Sequence, residues 1–249
     1  MNPNNNTHQL ADKNILITGA SGGLGKIAAK ACAAGGATVI LLDKNLQALE
    51  QLYDEIVVSG SPQPALYPID HAGAKEQDYF ELANILDQEF GALDGLLHNA
   101  SAFTPLEPVD NIETSDWVNV LNVNINTPFI LTRVLLPLLR KSEHASVVFT
   151  SDSSARRAKA YWGAYGVSKI AIEGFAHILA DELESAGRIR VNILIPGRVN
   201  SPLRKRAFPA EEPEQLATAQ SLEDLYIYLL SGASLGINGQ TFIAEEFNQ

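Results

Sequence analysis

The chain has 249 residues, 46% of them apolar, and a formal net charge of −11. That is ample apolar material for one large core, and the charge argues against nucleic acid or anionic membrane as partner, because both would repel it. The single cysteine, Cys32, excludes an intrachain disulfide and suits a reducing compartment. With no apolar run of membrane-spanning length and no apolar stretch at the start, the reading is a cytoplasmic protein with a disordered tail over residues 1–10.

Beyond that tail no linker or internal repeat divides the sequence, so residues 11–249 read as one domain. Short apolar runs rich in Val, Ile or Leu fall at 15–17, 38–42, 65–69, 93–97, 146–150, 189–195 and 241–243. Helical patterns lie between them at 23–34, 45–58, 75–90, 114–139, 163–186 and 221–231. Continuous apolar runs suit strands buried on both faces, and repeated βα units wind them into a parallel sheet. The expected fold is therefore α/β: one doubly wound, Rossmann-type sheet of about seven strands with helices on both faces and ligands at the carboxyl ends of the strands.

The first strand ends in Thr18-Gly-Ala-Ser-Gly-Gly-Leu-Gly25, and a helical pattern starts within the glycines. Gly19 can take the positive φ of a tight turn, Gly23 leaves room for a ligand, and Gly25 lets helix and strand pack closely. The helix N-terminus then faces a pyrophosphate. The second strand ends in Asp43, which can accept hydrogen bonds from ribose hydroxyls and would repel a 2′-phosphate. This predicts NAD(H) as the preferred cofactor. Lys44 offsets part of the repulsion, so NADP(H) stays open, and Asp43 also reads as a helix N-terminal acid ahead of Asn45. The five histidines, at 8, 71, 98, 144 and 177, show no metal-ligand spacing, and His98 and His177 read as structural. No metal is expected.

Tyr165-Gly-Val-Ser-Lys169 opens the longest helical pattern and places a tyrosine and a lysine on one helix face. A free phenol, with a pKa of about 10, is a poor proton-transfer group near neutrality, and a nearby ammonium would lower that value. The Thr18–Gly25 turn and this Tyr-xxx-Lys pair together resemble the short-chain dehydrogenase/reductase family, and the resemblance covers nearly the whole chain. It implies hydride transfer between nicotinamide and a carbonyl or secondary alcohol, with Tyr165 as general acid/base and Lys169 lowering its pKa and holding the cofactor ribose.

The same resemblance assigns further residues. Gly19, Ser21, Gly23, Leu24 and Gly25 would form the cofactor turn, and Asp70 would face adenine. His71 stands where a small apolar residue is usual. Asn99 and Ala100 match the family, whereas Ser101 replaces a glycine. Asn124 matches a helix asparagine that helps anchor a proton-relay water. Pro196-Gly197 precedes a loop, here 197–220, that covers nicotinamide and substrate. Ile237-Asn-Gly-Gln240 fits the C-terminal pattern. Leu97–Ala100, Val147–Ser151, Trp162–Tyr165 and Ala207–Pro209 look closer still to a bacterial subgroup, the YciK-type oxidoreductases. The family's dimer contact implies a homodimer or homotetramer through the helix at 114–139 and the one near Tyr165. Within the former, Val118, Leu121, Ile125, Phe129, Thr132 and Leu136 recur at helical spacing and read as core.

One position departs from the family. Its carbonyl-polarising serine lies thirteen residues before the tyrosine, and Asp152 stands there. A carboxylate cannot donate a hydrogen bond to a carbonyl. It would also raise the tyrosine's pKa, since two charges about 4 Å apart at an effective dielectric near 20 interact by roughly 4 kcal/mol. Three readings stand. Ser153, or Ser151, takes the donor role. Asp152 is protonated or binds a substrate hydroxyl or amine. Or the chain binds cofactor with little turnover, as a redox sensor or interaction module. The basic run Arg198–Arg206 reads as a solvated helix face or as a greeting for an anionic substrate, and Arg156, Arg157 and Lys159 as the same or as partners for Asp152.

Overall fold

The structure, a computed structural model, describes residues 9–247. Its strands are β1 (Asn14–Thr18), β2 (Thr38–Asp43), β3 (Ala65–Pro68), β4 (Gly95–His98), β5 (Ala145–Thr150), β6 (Ile189–Ile195) and β7 (Thr241–Ile243). They form one parallel sheet in the order β3-β2-β1-β4-β5-β6-β7. The order reverses between β1 and β4, whose register pairs Ile17 with Leu97, and the crevice at that switch point opens at the carboxyl ends of both strands. The helices are α1 (Gly23–Ala34), α2 (Leu46–Val58), α3 (Glu76–Phe90), α4 (Thr114–Leu121), α5 (Thr127–Leu139), α6 (Ser153–Arg156), α7 (Gly163–Glu184), α8 (Pro202–Ala207), α9 (Glu223–Leu230) and α10 (Ala244–Phe247).

Period-two alternation explains how runs without polar residues still choose faces. Leu16, Ile40, Leu96, Val147 and Val191 point to one side, into a core closed by α3, α5 and α7. Ile15, Ile17, Val39, Leu97 and Val148 point to the other, against α1, α2 and α9. Leu96 is wholly buried, and truncating it to alanine would cost about 2–5 kcal/mol.

Three features differ from the sequence reading. Most of the tail expected over residues 1–10 lies outside the described residues, but Leu10 is fully buried and its amide donates to the Gly35 carbonyl. Leu10 therefore belongs to the packed domain. The single helix expected over 114–139 is α4 and α5 joined by one π-helical turn, Asn122–Asn126. Its presumed core stripe is split: Thr132 is buried, but Val118 is 54% and Phe129 45% exposed. No helix among the described residues is long and apolar enough to cross a membrane.

Candidate active site

The glycine turn is held from behind. The Thr18 hydroxyl accepts from the amides of Asn99 and Ala100, both at 3.0 Å, and the Asn99 side chain donates to the carbonyls of Thr18 and Gly19. The ends of β1 and β4 are thus laced together where the strand order reverses. Gly19 has φ +64°, and a Cβ at Gly25 would lie 2.0 Å from the Gly19 carbonyl, so both positions demand glycine. Gly22 starts α1 with no side-chain cap, which leaves the first-turn amides to a ligand. The room expected over Gly23 is taken by the ring of Pro202 at the start of α8.

On the adenosine side, both Asp43 oxygens accept amides, Oδ2 from Ser21 and Oδ1 from Asn45, each at 3.2 Å. Asn45 in turn caps α2. A carboxylate with one bond per oxygen keeps lone pairs for ribose hydroxyls. Lys44 lines the cleft beside it. Asp70 Oδ1 accepts from the Ala72 amide. His71 Nδ1 shares a 3.0 Å hydrogen bond with the Tyr79 hydroxyl, while its Nε2 is buried with no partner. Burial holds this ring neutral, with a pKa down to about 4.

At the opposite end lie the groups that can move a proton. Tyr165 and Lys169 sit one turn apart on α7, both buried. The Tyr165 hydroxyl donates to Asp152 Oδ2 at 3.0 Å, and Asp152 Oδ1 accepts the Ser154 amide at 2.7 Å. Lys169 Nζ donates to the Thr150 carbonyl at 3.0 Å and lies 5.5 Å from the Tyr165 ring centroid. The phenol pKa moves in the direction expected from Asp152, opposite to the lowering expected from Lys169. Burial and then the Asp152 charge hold Tyr165 well above its ordinary value, and burial brings Lys169 down to about 8. The tyrosine is a neutral proton donor.

The structure separates the serine alternatives. β5 ends at Thr150, so the chain turns before Ser153, which is exposed at the start of α6 and does not line the cleft. Ser151 donates to Glu173 and the Lys169 carbonyl. Neither hydroxyl replaces the missing donor. Asn124 is bonded through both atoms of its amide. Its Oδ1 accepts the Ala102 amide at 2.7 Å and the Ser101 hydroxyl at 3.4 Å, and its Nδ2 donates to the Ala102 carbonyl and to Ser168. With both Nδ2 hydrogens spent, the side chain braces the segment after β4 against α7.

The basic run is internally committed. Arg204 makes two bonds to Glu211 and stacks 3.9 Å over Phe208, Arg198 reaches the same glutamate, and Arg206 donates to the Phe103 carbonyl. Arg156 pairs with Glu173 and not with Asp152. His98 is satisfied by Thr132 and stacked on Phe149, as expected of a structural histidine, whereas His177 is exposed on α7. Sequence reading missed the Thr18 clasp and Trp162, Phe103 and Phe208, which pack around Tyr165. Aromatic residues flanking a Tyr-xxx-Lys pair were the available signal.

One cleft of about 370 Å³ joins the two ends, from Asp43, Asp70 and His71 past Gly19 to Asp152, Tyr165 and Lys169, with Pro196 and Gly197 on its wall. The uncapped α1 amides, the unpartnered His71 Nε2 and the glycine cradle fit a dinucleotide. The whole defines an oxidoreductase of the two-ended, dinucleotide-binding kind. The family model for short chain dehydrogenase matches residues 13–212, and the chain belongs to that family. It is 40% identical over 236 residues to the uncharacterised oxidoreductase YciK of Escherichia coli K12, covering 95% of this chain and 93% of that one. Among solved structures, a short chain dehydrogenase of E. coli CFT073 complexed with NADPH superposes with TM-score 0.93 at 40% identity, covering 98% of this chain and 100% of the other. One from Shigella flexneri complexed with NADP gives 0.93 at 39%, covering 96% and 99%.

Proposed function

We propose that this oxidoreductase moves hydride between a nicotinamide dinucleotide and a carbonyl or secondary alcohol, with Tyr165 as the proton-transfer group. The observation that carries this is the buried Tyr165 hydroxyl, set beside Asp152 and Lys169 at the end of the cleft opposite Asp43 and Asp70. The first-turn amides of α1 would hold the pyrophosphate, Asp43 the ribose, and Asp70 with His71 the adenine. Lys169, Asn99 to Ser101, Pro196 and Gly197 line the space between. Bound there, the cofactor supplies a hydride in reduction and accepts one in oxidation. In reduction the Tyr165 proton passes to the substrate oxygen as that oxygen takes the π pair, and the phenolate regains a proton from water. A phenol held neutral favours this direction.

The relatives solved with NADP and NADPH favour NADP(H) over the NAD(H) preference that Asp43 alone implies. Lys44, at the cleft wall beside Asp43, is the cation that would meet a 2′-phosphate. A second copy of the chain is the proposed partner, docked through α4, α5 and α7. Val167, Ile170 and Ile178 on α7 face away from Tyr165 and are 46%, 47% and 59% exposed.

Oxidation of NADPH and NADH across aldehydes, ketones and diketones tests the reaction, with Tyr165→Phe as control. The variant should keep cofactor affinity and lose about 10²- to 10⁴-fold in rate. Cofactor binding with no oxidation against any carbonyl would instead make the chain a sensor.

A further inference from the structure

Asp152 is a half-buried carboxylate with an unusual set of neighbours. Both its oxygens accept, one from Ser154 and one from Tyr165, yet no ion pair reaches it among the described residues. The cations around it make their close contacts elsewhere, although the Lys169 ammonium still acts on Asp152 through space. Lys169 gives its ammonium to the Thr150 carbonyl, Arg156 pairs with Glu173, and Arg204 forks onto Glu211. A carboxylate facing a cleft without an ion-pair partner is costly to desolvate and gains from a ligand cation.

The walls around it suit the same ligand. Trp162 and Phe208 line the same cleft as Asp152 and pack against each other, their centroids 5.8 Å apart. Arg204 already stacks on Phe208, so the rings offer an apolar wall to the ligand's carbon skeleton and leave the charge to Asp152. The spacing also limits where the cation sits. Tyr165 Oη and Asp152 Oδ2 are 3.0 Å apart, so a substrate oxygen at Tyr165 brings its neighbouring carbon's substituent to Asp152.

We propose that the substrate is a vicinal amino alcohol in oxidation, or an α-amino ketone in reduction, its oxygen at Tyr165 and its ammonium on Asp152. This rests on the oxidoreductase reading and names its substrate class. The reaction balances as before: the amino alcohol loses hydride from its carbinol carbon to NAD(P)⁺ and a proton from its hydroxyl, leaving the ketone, and the ammonium is carried through unchanged. An aspartate in place of a serine is then a fitted part of the site.

The test compares 2-amino-1-phenylethanol, 1-phenylethane-1,2-diol and 1-phenylethanol, on the natural protein and on Asp152→Asn, which keeps size and removes charge. Turnover with NAD⁺ and NADP⁺ is one readout. Calorimetric binding of each compound to the cofactor-saturated Tyr165→Phe protein, with and without Asp152→Asn, is the other. The amine should be favoured at least tenfold over both analogues, and that ratio should collapse in Asp152→Asn. Equal handling of all three compounds, preference for the diol, or an amine preference that survives Asp152→Asn overturns the proposal. If the amine binds in an Asp152-dependent way but nothing is oxidised, the amine site stands and the oxidoreductase reading falls. If the plain alcohol is oxidised as well as the amine, the reverse holds.

Discussion

The Tyr165 hydroxyl donates to Asp152 across 3.0 Å, and this bond decides which protonation state the site holds. Burial raises the phenol pKa first, the Asp152 charge second and the hydrogen bond third. Replacing Asp152 with serine removes the last two and leaves burial. Alcohol oxidation needs the phenolate, so in the natural protein its rate should climb about tenfold per pH unit from pH 7 to 9.5 without levelling. With a plain secondary alcohol, which makes no use of the Asp152 charge, the climb in Asp152→Ser should flatten at a lower pH, with rates near neutrality raised tenfold or more. Superimposable pH profiles would show that Asp152 does not control the tyrosine.

Asp43 is held at the cleft by Ser21 and Asn45, with its spare lone pairs available to a ribose. Asp43→Ala should therefore shift the ratio of NADPH to NADH affinity toward NADPH by about tenfold, the value of one lost charge contact of roughly 1.4 kcal/mol. Fluorescence titration with both cofactors reads this directly. An unchanged ratio would place the ribose elsewhere.

Acid stability should follow two histidines. Burial depresses His71 to about 4 and His98 to about 3, against 6.5 for an unfolded imidazole. Between those values the unfolded chain binds the extra protons, so their contribution is complete above pH 6.5 and is lost as pH falls from there. Each histidine adds up to about 1.4 kcal/mol per pH unit. Urea midpoints from pH 7 to 4.5 should drop accordingly, and His98→Asn should make the decline shallower by one proton. A variant with the parent's slope would remove His98 from this account.

The outward face of α7 predicts assembly. The natural chain should elute at a multiple of 26.9 kDa, and Ile170→Glu should yield monomer by light scattering. Both faces belong to one helix, so the monomer should also lose activity several-fold. A natural monomer would end the proposal.

The sheet was legible because its strands are short apolar runs separated by helical periods. All seven strands overlap their expected runs, and the α1, β6 and β7 bounds coincide. The π turn at Asn122–Asn126 was not legible, because neither glycine nor proline marks it and its bonds are made to Ala102 and Ser168, distant in sequence. The position of Asp152 was legible from its spacing to Tyr165, but its partners were not. Which of three consecutive side chains meets the tyrosine depends on how the chain turns after β5 stops at Thr150, and that turn carries Ser153 onto α6. The role of the basic run likewise turned on Glu211, which no local pattern links to Arg198 or Arg204.

A Cβ at Gly23 would lie 2.6 Å from the Pro202 ring. The turn that would carry the pyrophosphate and the short helix over the substrate end therefore bear on one another directly. Gly23→Ala would wedge the two apart, so its effect would reach beyond cofactor affinity. The same change should loosen the substrate loop and raise substrate KM, a signature easily mistaken for a lesion in the loop itself.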